Sequence, residues 1–132
     1  MTYVMRQVLA VLCGGALGAV CRVEVGDMVT QVAGAVLPVG ILCVNMAGSL
    51  FLGLLMGAAS RAVSGYPTAM AFFSTGFCGA FTTFSSFALD TVLLWKADHA
   101  FFALLNVGMN GVLCIALAAL GWRLASGRRK AC

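Results

Sequence analysis

Charge is what this chain has least of: only 9% of its 132 residues are Asp, Glu, Lys or Arg, against roughly a quarter in a soluble domain. No acidic residue or histidine falls in the middle of an apolar stretch, where a pump or proton-coupled carrier keeps one. Glu24 closes the first stretch, Asp90 lies near the end of the third, and His99, the one histidine, sits in a connection. The six cysteines include no C-x-x-C pair, and five of them (Cys13, Cys21, Cys43, Cys78 and Cys114) lie in apolar stretches as small fillers. No nucleophile–base pair or cluster of metal ligands is visible, so an enzyme is not expected. A net charge of +4 with a short basic tail, Arg128-Arg129-Lys130, is too little for a nucleic-acid surface and suits an anchor at lipid headgroups. No internal repeat is present. The first stretch follows Arg6 as a signal peptide would, but no cleavage site precedes a soluble domain, and Val20 before Cys21 argues against lipoprotein processing.

What the chain has instead is hydrophobicity. The hydrophobic share is 62% and the mean hydropathy +1.04. Four apolar stretches, at residues 4–21, 37–59, 69–95 and 100–121, each approach or exceed the ~20 residues that cross a bilayer core. The expected fold is therefore an all-α membrane protein with four transmembrane helices in a single domain over residues 1–132. Residues 26–36 are expected to leave the first helix as an interfacial loop or short helix. Pro38 suits a helix start, and residues 60–68, with Gly65 and Pro67, a loop. Gly14 and Gly18, and Gly48, Gly53 and Gly57, give small-residue spacing that lets helices approach closely in lipid. So small a chain has little room to enclose a pore alone, and oligomerisation is expected. With both termini and the second connection on one side, that side holds Arg6, Arg61, Arg123, Arg128, Arg129 and Lys130, and the other holds Arg22 and Lys96. The positive-inside rule then puts both termini in the cytoplasm.

The third stretch is anomalous. As one helix, residues 69–95 would reach about 40 Å at ~1.5 Å per residue, so it must tilt, overshoot or break. Thr82-Thr83-Phe84-Ser85-Ser86-Phe87 is the place to break, because a polar interruption at membrane depth is tolerated where it is buried in protein or lines a water-filled path. Gly76 and Gly79 lie just upstream and can loosen the helix. Asn45 sits midway along the second stretch; on the fourth, Asn106, Asn110 and Cys114 follow at intervals of four and share a face. These amides serve either as glue between helices or as neutral donors that replace the water around an anion and still release it. Phe81, Phe84 and Phe87 recur every third residue, either as core packing or with ring edges turned to an anion. Carbonyls freed at the break would face a cation instead.

Residues 76–87, Gly-Phe-Cys-Gly-Ala-Phe-Thr-Thr-Phe-Ser-Ser-Phe, closely resemble the third-helix signature of the CrcB/Fluc fluoride channels. Residues 14–22 resemble that family's first-helix motif and residues 44–48 its second, so the likeness covers nearly the whole chain. It implies an antiparallel dimer, each third helix broken mid-membrane, with two fluoride pores and passive export of cytoplasmic fluoride across the bacterial inner membrane. It further implies a structural Na+ at the dimer centre, held by the carbonyls of Gly79 and Thr82 from each subunit. By the same resemblance Phe84 and Phe87 are pore phenylalanines, Asn45 is a pore donor, and Ser85, Ser86 and Asn110 line the path. Arg22 sits near a pore mouth, and Asp90 stands where the family has a vestibule glutamate. The sequence departs at Ser86, commonly Thr, and on the fourth helix, where Asn106, Asn110 and Cys114 replace a Tyr-Ser-Ser track. The partner is a second copy in a homodimer, or a paralogue in a heterodimer, with the charge bias leaning toward fixed orientation. The rivals are a small multidrug-type four-helix carrier, which would want a glutamate midway along its first helix, and a non-transporting assembly subunit.

Overall fold

A computed structural model describes residues 2–61 and 67–127, all helix and connections with no strand among them. The basic tail at 128–130, Gly65 and Cys132 lie outside the described residues. Helix α1 spans Tyr3–Ala33 and α2 Val39–Ala59; α3 (Pro67–Met70) runs into π-helical turns at Ala71–Cys78 and then α4 (Gly79–Phe81). Helix α5 spans Phe84–Lys96 and α6 Ala100–Ser126. Taking α3 to α5 together, four segments are long and apolar enough to cross a membrane.

Helix α1 does not leave its path at residue 26, contrary to the sequence expectation. The Thr30 hydroxyl donates to the Gly26 carbonyl at 2.8 Å, and the helix stops only at Gly34, whose left-handed φ of 53° turns its N–H back to Thr30 O. Polar residues at the end of a long membrane helix thus prolong it rather than fray it.

Close backbone approach organises the packing. A Cβ on Gly14 or Gly18 would strike the carbonyl of Phe72 or Phe77, so both glycines of α1 bear directly on the π-helical turns. One on Gly53 would strike Ala118 O, and one on Gly121 would lie 2.8 Å from Leu54 N, so α2 and α6 meet backbone to backbone. The small-residue spacings of the sequence therefore mark real helix contacts, as van der Waals packing in lipid requires. Elsewhere the surface is apolar almost all round: Leu104, Val112 and Ile115 on α6 stand exposed, facing whatever lipid or protein surrounds the monomer.

Between α4 and α5 the chain leaves helical geometry. Thr82 (φ −77°, ψ 154°) and Thr83 (φ −149°, ψ 120°) are extended. The interruption divides the phenylalanine stripe that spacing alone would place on one face. Phe81, before it, is buried and stacked on Phe77 with ring centroids 5.6 Å apart; Phe84 and Phe87, after it, form their own edge pair at 5.5 Å.

Candidate functional site

The extended pair is held by an amide. Asn45, on the buried side of α2, accepts from the Thr83 N–H at 2.8 Å and donates to the Thr83 carbonyl at 3.1 Å, as a neighbouring β-strand would. This contact has a consequence for the end of α4. In a continuous helix the Thr83 N–H would bond the Gly79 carbonyl and the Ser86 N–H the Thr82 carbonyl. Here the first goes to Asn45 Oδ1, and the second caps onto Thr83 Oγ1 at 3.2 Å. The carbonyls of Gly79 and Thr82 therefore lose the donors that a helix would give them.

Asn45 opens a longer chain. Its Nδ2 donates to Asn110 Oδ1 at 2.9 Å; Asn110 Nδ2 donates to both oxygens of Asn106, at 3.0 and 3.1 Å; Asn106 Nδ2 donates to Thr91 Oγ1 at 2.9 Å; and the Thr91 hydroxyl donates to the Phe87 carbonyl at 2.8 Å. The orientation of every amide is forced from the ends. A backbone N–H can only donate, so Oδ1 of Asn45 must face Thr83, and a carbonyl can only accept, so the Thr91 proton must face Phe87. Asn45, Asn106 and Asn110 are all buried, and among the described residues no buried side-chain polar atom lacks a partner. Such satisfaction is what makes three amides tolerable inside an apolar protein.

Beside this chain lies a cleft of about 380 Å³ lined by Asn45, Gly48, Ser49, Thr82, Thr83, Phe84, Phe87, Asn110, Gly111 and Cys114, among others. Phe84 is 78% exposed over it, an unusual position for a phenylalanine whose neighbours are buried amides. A second cleft, about 350 Å³, gathers Arg22, Asp27, Ser86 and Asp90. The Thr83 hydroxyl, on the first cleft, lies 3.2 Å from the Ser86 hydroxyl, on the second, and 3.1 Å from that of Ser85. A cluster of hydroxyls thus stands between the two spaces.

Of the residues expected from sequence, the first cleft joins Asn45, Phe84, Phe87, Asn110 and Thr82, and the second joins Arg22, Ser86 and Asp90. Ser85 and Gly79 line neither, although Ser85 belongs to the hydroxyl cluster. The sequence reading missed Thr91, and placed Asn106 on the fourth-helix track with Asn110 without naming it among the pore residues. The signal for Thr91 was its place one helical turn after Phe87, where a threonine hydroxyl reaches the carbonyl four residues back. Glu24 is exposed beside Asp27 and Gln31, away from the first cleft, which disfavours the multidrug-type carrier. No group of three or more potential metal-ligating side chains occurs among the described residues.

The cap is open to test. Replacing Thr83 by valine removes the acceptor for the Ser86 N–H and the centre of the hydroxyl cluster, and is expected to destabilise the protein by about 1 kcal/mol. Thr83→Ser should melt close to the wild type in detergent; equal melting of Thr83→Val would show that the cap contributes nothing.

These features define a small multi-pass helical membrane protein with a neutral, hydrogen-bonded polar layer beside a cleft lined by no charged side chain. The family model described as CrcB-like protein, Camphor Resistance (CrcB), matches residues 9–122, and the chain belongs to that family. It is 38% identical over 111 residues to a fluoride-specific ion channel FluC of Pseudoalteromonas translucida, covering 84% of this chain and 92% of the relative. It is also 37% identical to the FluC of Aeromonas salmonicida, over 94% of this chain and 99% of that protein. The FluC of Thermococcus kodakarensis is 39% identical, over 92% and 97%.

Proposed function

We propose that this protein is a fluoride-selective channel that lets cytoplasmic fluoride leave the cell passively through the bacterial inner membrane. The observation that carries the reading is the first cleft, where hydroxyls and the edge pair of exposed Phe84 and half-buried Phe87 meet without a fixed charge. Fluoride needs strong hydrogen-bond donors in place of its water, and neutral donors hold it without trapping it. The ring edge carries the positive end of the aromatic quadrupole and offers the apolar part of the path a weak attraction for an anion. Fluoride passes among Asn45, Phe84, Phe87 and Asn110 and the hydroxyls of Ser85 and Ser86, with Arg22 and Asp90 at the mouth. A negative-inside membrane drives an anion out by ~2.3 kcal/mol per charge per 100 mV, so no coupled energy source is required.

The working unit is an antiparallel homodimer, with the interruption at Thr82-Thr83 at mid-membrane in each copy. Support comes from the open cleft and from the exposed Phe84 that lines it, which a second copy would cover. A Na+ ion fits the same arrangement, because carbonyl oxygens are its preferred donors and those of Gly79 and Thr82 have lost their helical partners. Bound there by the Gly79 and Thr82 carbonyls of two copies, it would supply a fixed positive charge between the subunits.

The test is ion efflux from liposomes holding this chain alone. Fast fluoride loss without chloride loss is expected, and Phe84→Ile, which replaces the ring edge by an aliphatic chain, should slow it by about a hundredfold, equivalent to ~2.7 kcal/mol. Phe84→Ile at the wild-type rate would remove the phenylalanine from the path. No fluoride loss from folded wild type, alone or with an oppositely oriented paralogue, would overturn the channel reading.

A further inference from the structure

We infer that Thr91 and Asn106 are positioning residues of the fluoride path: with Asn45 and Asn110 they hold the first turn of α5. The inference rests on the channel reading above. Its basis is a count of protons. Both protons of Asn45 Nδ2 have acceptors, Thr83 O and Asn110 Oδ1. Asn110 Nδ2 is directed at the two oxygens of Asn106. While the chain is intact, these two cleft-lining amides have their donors turned to the protein, as have the hydroxyls of Thr82, which donates to the Cys78 carbonyl at 2.9 Å, and Thr83, which donates to Ser86 Oγ.

The geometry shows what the chain does instead. Both of its ends lie on the same short stretch: it begins at the Thr83 N–H and finishes at the Phe87 carbonyl, passing through α2 and α6 on the way. Phe84 and Phe87, the rings over the cleft, are carried on the turn so enclosed. Neither Thr91 nor Asn106 lines that cleft, and Asn106 is only 1% exposed, so Asn106 does not act by touching the ion there. Thr91 has a particular place because it is the last link, taking the Asn106 proton and passing its own to a group that can only accept. Without its hydroxyl, Asn106 Nδ2 is left buried without an acceptor and α5 loses this tie to α6, so its first turn is held from the Thr83 end alone and opens more readily.

Thr91→Val removes the hydroxyl at nearly constant volume, and Thr91→Ser keeps it. The experiment measures backbone hydrogen exchange over residues 82–87 in the reconstituted full chain, with fluoride and chloride efflux from the same liposomes. Thr91→Val is expected to speed exchange at the Thr83 amide about tenfold, the equivalent of one net buried hydrogen bond. It should also slow fluoride and lower the fluoride-to-chloride ratio, a readout that a loss of packing alone would leave in place. Thr91→Ser should restore all three, and Thr91→Ala should reproduce the valine result if valine impairs folding. Wild-type exchange and selectivity in Thr91→Val, or a serine variant as impaired as the valine one, would overturn the inference. If the wild type itself passes no fluoride, the channel reading fails, while the exchange comparison still decides whether Thr91 positions the turn.

Discussion

Asn45→Leu is expected to be among the most damaging single changes in this protein. It leaves three buried groups without partners at once: the Thr83 N–H, the Thr83 carbonyl and Asn110 Oδ1. Each such group costs about 1–3 kcal/mol, and lipid supplies no replacement water, so the loss is on the order of 3–9 kcal/mol. Freed from Asn45, the Thr83 N–H can return to the Gly79 carbonyl, and the extended pair can wind back into helix. Asn45→Asp separates the two contributions. One carboxylate oxygen still accepts from Thr83, but the other faces two acceptors, so the clamp opens on one side only. Thermal melting in detergent should place Asn45→Asp between the wild type and Asn45→Leu, while fluoride efflux should be lost in both. A leucine variant melting within about 1 kcal/mol of the wild type would show that the clamp does not hold the interruption.

Much of this was legible in the residues, and the remainder failed for identifiable reasons. The four apolar helices followed from hydropathy and length, and the glycine contacts of Gly14, Gly18 and Gly53 from spacing, since both signals are local. Asn45, Phe84, Phe87 and Asn110 were named from sequence and share one cleft. Spacing failed at Phe81, because a three-residue period fixes a face only while the helix is continuous. It failed again at residues 26–33, where polar side chains looked like a stop but Thr30 bonds back along the helix. Nothing local marks Ala71–Cys78 for π-helical winding. Nor can a sequence show that the amides of α2 and α6 would meet Thr91 of α5, since that contact joins residues brought together only by the fold. Asn106 and Asn110 were seen to share a face; the direction of their hydrogen bonds needed both ends of the chain.

Gly53→Val should rival Asn45→Leu in its effect on stability, by a different route. A Cβ at residue 53 would fall on the Ala118 carbonyl oxygen and within 3.0 Å of its carbon, and these are backbone atoms that cannot turn aside as a side chain would. Gly121 returns the contact from α6 onto Leu50 and Leu54, so moving α6 away from residue 53 would also open that side. The β-branched side chain must push the two helices apart and forfeit their dispersion contacts, a loss on the order of 3 kcal/mol or more. Gly108 and Gly111, on the same helix α6, have nothing within 4 Å of a Cβ. Valine there should leave the monomer's folding intact. If a second copy packs over the cleft that Gly111 lines, Gly111→Val should instead weaken association and fluoride efflux together. The three variants divide these glycines into two sets, measured by melting for Gly53 and by cross-linking in liposomes for Gly108 and Gly111. Equal tolerance at Gly53 and Gly111 would mean that α2 and α6 are not held backbone to backbone. A Gly111→Val protein that cross-links and conducts like the wild type would place the partner's surface elsewhere.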